Sequence, residues 1–440
     1  MEPTGKIPPD DWITAPETRT LLAALTADGQ DVRFVGGCVR DAVIKRPVKD
    51  IDIATPDRPE AVMDLLARAG IRAIPTGIGH GTVTAVTGSH HYEITTLRHD
   101  VESHGRHATV AFTDDWLEDA KRRDFTINTL SADADGNVYD PFSGLDDLAE
   151  GHVRFVGIAR ERIEEDVLRL LRFFRFYAHY GKPPPDADAL DACRQMAPQL
   201  QTLSAERVRG EVLRILLAPD PAGVVSLMRG VRVLDEILPE AGDVGALRQI
   251  AWLETRGLVR DNIDADAIRR LAALLKTDAA GADAVALRLK LSNAERARLV
   301  ALAAPDQAIT PELAEKARRH GLHRLGAATV RDLALLAWAH ERAGPAPNKN
   351  ERAGPAPNKD LSAQAAEADT GRSAAWTALL GAADAWVPKV FPLKGRDAMA
   401  LGVPHGPRVG DLLDAVEDWW EDLDFAPDRD ACLEELKRRV

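Results

Sequence analysis

Asp50-Ile51-Asp52 sets two carboxylates two residues apart in a stretch, Asp50–Ala54, that alternates like a half-buried strand. Residues i and i+2 of a strand share a face, so both acids project together while Ile51 packs behind. Carboxylates so placed repel unless a cation sits between them, and magnesium prefers one or two carboxylates plus phosphate oxygens. Just upstream, Phe34-Val35-Gly36-Gly37-Cys38-Val39-Arg40-Asp41 reads as strand, diglycine and helix start. Glycines there let backbone N–H groups approach a phosphate, the helix N-terminus adds a favourable dipole, and Arg40 can reach the same phosphate. A tight turn is the plainer alternative for the diglycine, and a solvated strand face for the acids. The pattern is neither GxGxxG nor GxxxxGK[ST], which excludes dinucleotide-binding and Walker-type readings. A phosphate holder beside a metal-holding pair is what nucleotidyl transfer requires.

Further residues extend this chemistry. Glu93, central in an expected strand Tyr92–Leu97 and sharing its face with Thr95, is the candidate third carboxylate; an ordinary exposed glutamate is the alternative. Lys121-Arg122-Arg123-Asp124-Phe125-Thr126-Ile127-Asn128 suits triphosphate and ribose contacts, or else a capped, charged helix end. A helix is predicted over Arg162–Phe176, with Ile163, Val167, Leu170, Leu171 and Phe174 on its apolar stripe. Glu165, Asp166, Arg169, Arg172 and Arg175 occupy its polar side. Asp166 and Arg169, three apart, form either a simple ion pair or a reader of a base edge. In the second case the carboxylate accepts from an exocyclic amine and the guanidinium donates to ring or carbonyl acceptors, which suits cytosine and adenine.

The elements that must position these residues fall into two classes. Residues from about 31 to 153 read as mixed α/β, with strands at Val32–Val35, Asp50–Ala54, Thr82–Val86 and Tyr92–Leu97, and a hairpin turn at Thr87-Gly88-Ser89-His90. Arg98–Thr109 is polar and aperiodic and reads as a mobile loop. Beyond residue 154 the pattern is helical throughout, so the fold class is α+β. Glu341–Lys349 (ERAGPAPNK) recurs letter for letter as Glu351–Lys359, a turn-rich duplication within an expected flexible insertion over 341–372.

Totals narrow the class. At 440 residues, 45% hydrophobic and 28% charged, the chain is a globular protein of about three domains. A net charge of −13 counts against nonspecific nucleic-acid binding, yet six arginines fall between Arg154 and Arg175 and can line a local basic cleft. No apolar run is long enough for a membrane, the N-terminus lacks a signal-peptide pattern, and Cys38, Cys193 and Cys432 form no CxxC pair. Zinc and a disulfide framework are therefore not expected. A cytoplasmic location is expected, with no membrane association and no obligate protein partner.

In order, FVGGCVRD, KDIDIAT, YEITTLR, KRRDFTIN, DPFSG and EEDVLRLLRFFRF span Phe34 to Phe176. This series resembles the class II CCA-adding enzymes, tRNA nucleotidyltransferases of the polymerase-β superfamily that share ancestry with bacterial poly(A) polymerases. FPLKGRD from Phe391, with Gly402, Gly406 and Gly410, carries the resemblance more weakly to the end of the chain. It implies a polymerase-β-like head with a small mixed sheet over 1–153. A helical neck at 154–230, a body at 231–340, the insertion at 341–372 and a tRNA-binding tail at 373–440 would follow. By resemblance, Asp50 and Asp52 bind Mg²⁺ with Glu93 as third acid. Gly36, Gly37 and Arg40 contact the incoming CTP or ATP, and Arg123 its triphosphate. Asp166 and Arg169 template the base, Arg172 and Arg175 complete the pocket, and Arg98–Thr109 serves the switch from C to A addition. The implied reaction adds CCA to the 3′ end of tRNA, held by its acceptor arm; a bacterial poly(A) polymerase is the alternative. The lone His-Asp pair, His99-Asp100, lies inside the head, so no phosphohydrolase module is expected.

Overall fold

A computed structural model describes residues 1–8, 10–88, 90–104, 107–258, 260–344 and 359–440. It resolves into two compact units, Met1–Ala241 with Arg288–Lys290, and Gly242–Leu287 with Leu291–Val440.

The first unit opens with β1 (Gly5–Lys6), α1 (Asp11–Thr14), α2 (Pro16–Thr26), β2 (Arg33–Val35), α3 (Gly37–Val43), β3 (Ile51–Thr55) and α4 (Pro59–Arg68). Then come β4 (Arg72–Gly77), β5 (Thr82–Thr87), β6 (His90–Thr96), β7 (Arg98–His104), β8 (His107–Phe112), α5 (Trp116–Lys121), β9 (Ser131–Ala132), β10 (Asn137–Tyr139) and α6 (Gly144–Glu150). Eight strands form one mixed sheet in the order β1-β10-β9-β2-β3-β6-β5-β4. Only β3 and β6 pair in parallel; the other pairings are antiparallel. Alternation explains which face each strand buries: Tyr92 and Ile94 on β6, like Val83 and Ala85 on β5, are fully buried, while Glu93 stays exposed. The β5–β6 turn forms where expected, with Thr87 opposite His90 and Gly88 at φ 58°. Ser89 lies outside the described residues.

Two expectations are overturned here. Arg98–Thr109 is not a loop: β7 and β8 pair antiparallel from Arg98↔Phe112 to His104↔His107. A two-stranded ladder is held by main-chain hydrogen bonds and needs no apolar face. The register shift between Asp100 and Glu102 also interrupts the period of two that would have marked a strand. Nor is Arg162–Phe176 one helix. It is α7 (Ala159–Glu165) and α8 (Leu168–Tyr180), broken at Asp166, whose backbone is extended at φ −152°, ψ 106°. The Asp166 carboxylate accepts from the Leu168 amide at 3.1 Å, the competing local bond that makes aspartate a helix starter rather than an interior residue. Ile163, Leu170, Leu171 and Phe174 are all fully buried, so the stripe continues across the break and conceals it.

Aromatic packing fixes α8 against the KRRDFTIN segment. Phe125 meets Phe155 at 4.7 Å and Phe176 at 5.0 Å between ring centroids, and Phe173 meets Phe155 at 6.0 Å. Each such ring contributes about 1.5–3 kcal/mol by burial. The unit continues through further helices, among them α9 (Ala187–Met196) and α10 (Ala205–Leu216).

In the second unit the described residues are helical and form no strand. Its interior holds a charge network: Glu254, nearly inaccessible, accepts from Arg269 at 2.7 Å and from the fully buried Arg270 at 2.6 Å, and Arg269 also pairs with Asp332 at 2.7 Å. Within the stretch read as an insertion, helix occupies the ends. One helix runs Ala327–Ala343 and another begins at Lys359, while residues 345–358, most of the duplication, lie outside the described residues. Glu341 accepts from Arg372 at 2.7 Å. Among the described residues no helix is long and apolar enough to cross a membrane.

Candidate active site

The parallel pairing of β3 with β6 sets Asp52 directly opposite Glu93. Neighbouring strands lie about 4.8 Å apart, so two carboxylates that are forty-one residues apart in sequence become lateral neighbours. Asp50 sits one residue before β3 and acts electrostatically on Asp52. Burial, then Glu93, push the Asp52 carboxyl up; Arg123 pulls it down and Asp50 adds to the rise. Burial and the neighbouring acids thus both disfavour the charged form of Asp52. The donors of the three acids are all hard oxygens, which fits a divalent cation of the magnesium type.

Behind Asp52, Cys38 ties α3 to β3: its thiol lies 3.3 Å from the Val35 carbonyl and 3.6 Å from that of Asp52. Burial pushes this thiol up to about 12. Native protein at pH 8 should therefore leave Cys38 unlabelled by maleimide while unfolded protein is labelled; rapid native labelling would contradict the packing described here.

Gly36 lies between β2 and α3 with φ 68° and ψ −119°. A side chain there is strained by the positive φ, and Arg123 Nη1, 3.0 Å from where a Cβ would stand, would have to give way as well. Gly37 has no such demand; a Cβ would meet only Arg40 Nη2 at 3.7 Å. Arg40 is buried, donates to Asn128 Oδ1 at 2.6 Å and lies over the Tyr180 ring at 4.4 Å. Arg122 and Arg123 both grip Asp119, at 2.8 and 3.1 Å. Burial alone would raise the Asp119 carboxyl, but Arg123 and Arg122 outweigh it and hold it below the usual carboxylate range. Lys121, the first cation of the run, points elsewhere and pairs with Glu118 at 2.8 Å.

Asp124 receives Arg172 Nε at 2.6 Å and Asn128 Nδ2 at 2.9 Å. Burial again opposes its ionisation, and Arg172 with Asn128 prevails, leaving its pKa lowered. A carboxylate whose folded pKa is depressed adds stability that is complete above its unfolded value, near pH 4, and is lost as pH falls through the folded one. Asp124→Asn should melt lower than the native chain at pH 7 by the equivalent of about 1–3 kcal/mol. The gap should close as melts are taken down towards pH 2. A gap independent of pH would remove this pair from the account.

Asp166 and Arg169 do not pair with each other. Asp166 is held by Arg207 of α10 through both carboxylate oxygens, at 2.7 and 3.0 Å. Arg169 bonds to Glu165 and to the carbonyl of Arg162, the latter at 3.0 Å. Arg175 turns to Glu211 at 2.6 Å and stacks on Phe176.

One cleft of about 560 Å³ gathers most of these groups: Gly36, Gly37, Arg40, Asp52, Glu93, Arg123, Asp166, Arg169 and Arg172 all line it. Asp50 and Arg175 do not, the first flanking the acid pair and the second bracing α8 from behind. Sequence reasoning missed Arg207, which lies forty-one residues from its partner in an ordinary amphipathic helix, and Arg98, which was hidden in the supposed loop. Both line the cleft. Acids, arginines and the Asp166–Arg207 pair lining one cleft make an arrangement able to hold a nucleoside triphosphate and sense its base.

Comparison with known proteins agrees with this geometry. Residues 32–154 match the poly A polymerase head domain family, and residues 185–243 match a probable RNA and SrmB-binding site of polymerase A. The human mitochondrial CCA tRNA nucleotidyltransferase 1 is 31% identical over 428 residues, covering 96% of this chain and 89% of its own. The CCA-adding enzyme of Oceanobacillus iheyensis is 40% identical over 221 residues, half of this chain and 54% of that one. Among solved structures, the Bacillus stearothermophilus CCA-adding enzyme in complex with CTP superposes with a TM-score of 0.74 at 26% identity, covering 96% of both chains. With likeness extending over nearly the full length in both sequence and fold, the chain belongs to the CCA-adding enzymes, the tRNA nucleotidyltransferases.

Proposed function

We propose that the protein adds C, C and A in turn to the 3′ end of tRNA, using CTP and ATP without a nucleic-acid template. One observation carries the reading: an acid pair set by the β3–β6 register shares a single cleft with triphosphate-sized cationic groups and with Asp166 and Arg169. The reacting 3′-hydroxyl forms a bond to the α-phosphorus. The bond from that phosphorus to its bridging oxygen breaks, pyrophosphate leaves with the electron pair, and the hydroxyl proton passes to solvent.

Asp50, Asp52 and Glu93 form the metal-holding set, and magnesium fits their oxygen donors best. When bound, the cation lowers the pKa of the hydroxyl and offsets phosphate charge. Arg40 and Arg123, held by Asn128 and Asp119, bind and orient the triphosphate at the diglycine turn; Arg172, steadied by Asp124, closes the nucleotide pocket, and Arg175 supports it through α8. Asp166 accepts from the exocyclic amine of cytosine or adenine, and Arg169 donates to the neighbouring ring acceptor. The helical stretches at 154–230, 231–340 and 373–440 carry the acceptor arm, a role supported by the RNA-binding match over 185–243. Three free, buried cysteines are in keeping with work in the cytoplasm.

Incubation with tRNA lacking its CCA end and single nucleotides tests the proposal. CTP alone should extend the primer by two residues, CTP with ATP by three, and UTP or GTP by none. Long runs of AMP from ATP alone would point instead to poly(A) synthesis, the activity named in the head-domain match.

A further inference from the structure

Within the second unit, the helix Glu315–Leu325 packs beside the helix Pro407–Asp422. His323 on the first faces Glu417 and Glu421 on the second, and the ligand-capable atoms of the three lie within 4.8 Å of one another. We propose that these residues form a second metal site, separate from the catalytic acids, that takes a nitrogen-accepting divalent ion of the zinc type.

One of its two histidine contacts is an ordinary hydrogen bond and the other is not. His323 Nε2 stands 3.1 Å from Glu417 Oε1 and 3.7 Å from Glu421 Oε1. The second separation is too long for a hydrogen bond. Two donors on one tetrahedral zinc, each about 2.0–2.1 Å from it, lie about 3.3 Å apart. The pair of distances brackets that value. Glu417 and Glu421 are four residues apart on one helix face, a spacing that lets a single helix supply two ligands while a neighbour supplies the third. No cysteine takes part, so the site is one that cysteine spacing could not announce. Water would complete the coordination.

Surrounding groups support a cation there. Glu421 is almost wholly buried, and its other oxygen, Oε2, accepts from Arg324 Nε at 2.7 Å, which orients the carboxylate and leaves Oε1 turned to His323. Arg324 is itself paired with Asp418 at 2.6 Å, so its charge is already matched. Glu417, Asp418 and Glu421 against one arginine leave two negative charges for a divalent ion. The His323 ring is fixed edge-on to Trp420 and Phe425, at 5.6 and 5.1 Å. His320, 3.8 Å from Glu421 Oε2, supplies a further nitrogen nearby. The ion would tie the two helices together, a structural staple in a region whose own core is small.

Cobalt(II) titration of the full chain in excess Mg²⁺ tests the site, because tetrahedral nitrogen–oxygen ligation gives strong visible bands and octahedral oxygen ligation weak ones. One equivalent should develop the strong bands, Zn²⁺ should erase them, and Zn²⁺ should raise the melting temperature. Asp52→Asn should keep the signal, which separates it from the catalytic acids. His323→Ala should lose it. Glu417→Gln, a near-isosteric change at a partly exposed position, should lose it as well and decides the matter if the histidine variant fails to fold. Weak bands only, or strong bands that survive both substitutions, would overturn the proposal.

Discussion

Asp52→Asn should leave a folded protein that incorporates CMP and AMP at least about a thousandfold more slowly than the native chain. The expectation has two halves, and both follow from one geometry. The parallel β3–β6 register presses Asp52 against Glu93, with Asp50 close enough to act on it. In the proposed role, removing one negative oxygen from that set removes a metal ligand. On stability the sign runs the other way. A carboxylate whose folded pKa is raised opposes folding at any pH above its unfolded value, because the folded state holds the charged form less well than water does. The neutral isostere relieves that opposition, so the variant should melt at the native temperature or above it, the trade between activity and stability expected of an active site. Asp50→Asn should follow it in activity. Single-turnover incorporation on a CCA-less tRNA, read beside thermal melts, checks both halves. Activity within tenfold of native in a folded Asp52→Asn protein would remove the metal-holding role.

Much of that site is legible in the sequence because its residues lie in short, contiguous segments. Gly36-Gly37 opens α3, Asp50-Ile51-Asp52 enters β3 and Arg122-Arg123 follows α5, and a period of two or a diglycine turn is a local property that spacing reveals. The partnership of Asp52 with Glu93 is of another kind. It depends on a parallel register across forty-one residues, and sequence could offer Glu93 only as one strand glutamate among others. Arg207 was beyond reach for the same reason, since nothing local to α10 distinguishes a cation that faces solvent from one that clasps Asp166.

The errors have equally physical causes. Periodicity reports which face of the chain is buried, not whether the backbone is continuous, so α7 and α8 read as one helix. Their shared stripe of Ile163, Leu170, Leu171 and Phe174 keeps its phase through the turn at Asp166. In the same way β7 and β8 escape detection because main-chain pairing with a bulge leaves no alternating signature. The fold class was the more legible part. Strand-forming segments end near Tyr139 and helices follow, and that change of period is written in every few residues of the chain.

The break at Asp166 changes what Asp166 and Arg169 can do in the proposed base-reading role. On a continuous helix Asp166 and Arg169 would neutralise each other; here each is held by a different partner and both face the cleft. Asp166 Oδ1 accepts from Leu168 N and Arg207, whereas Oδ2 accepts from Arg207 alone. With two lone pairs per oxygen, Oδ2 retains one acceptor position, suited to the amine of cytosine or adenine and repelled by the O4 carbonyl of uracil. Arg169→Ala and Asp166→Ala should each lower the preference for CTP over UTP by about 10- to 150-fold, the range of a charge-assisted hydrogen bond. In that role Arg207 acts through Asp166. Arg207→Ala should therefore reproduce the Asp166 defect, and Arg207→Lys should restore part of it. The double variant lacking both side chains should be no worse than Asp166→Ala, because the two act as one unit. Competition between CTP and UTP on a CCA-less primer measures each ratio. Unchanged ratios in Arg169→Ala and Asp166→Ala would end the base-reading assignment, while additive losses in the double variant would show that Arg207 acts on its own account.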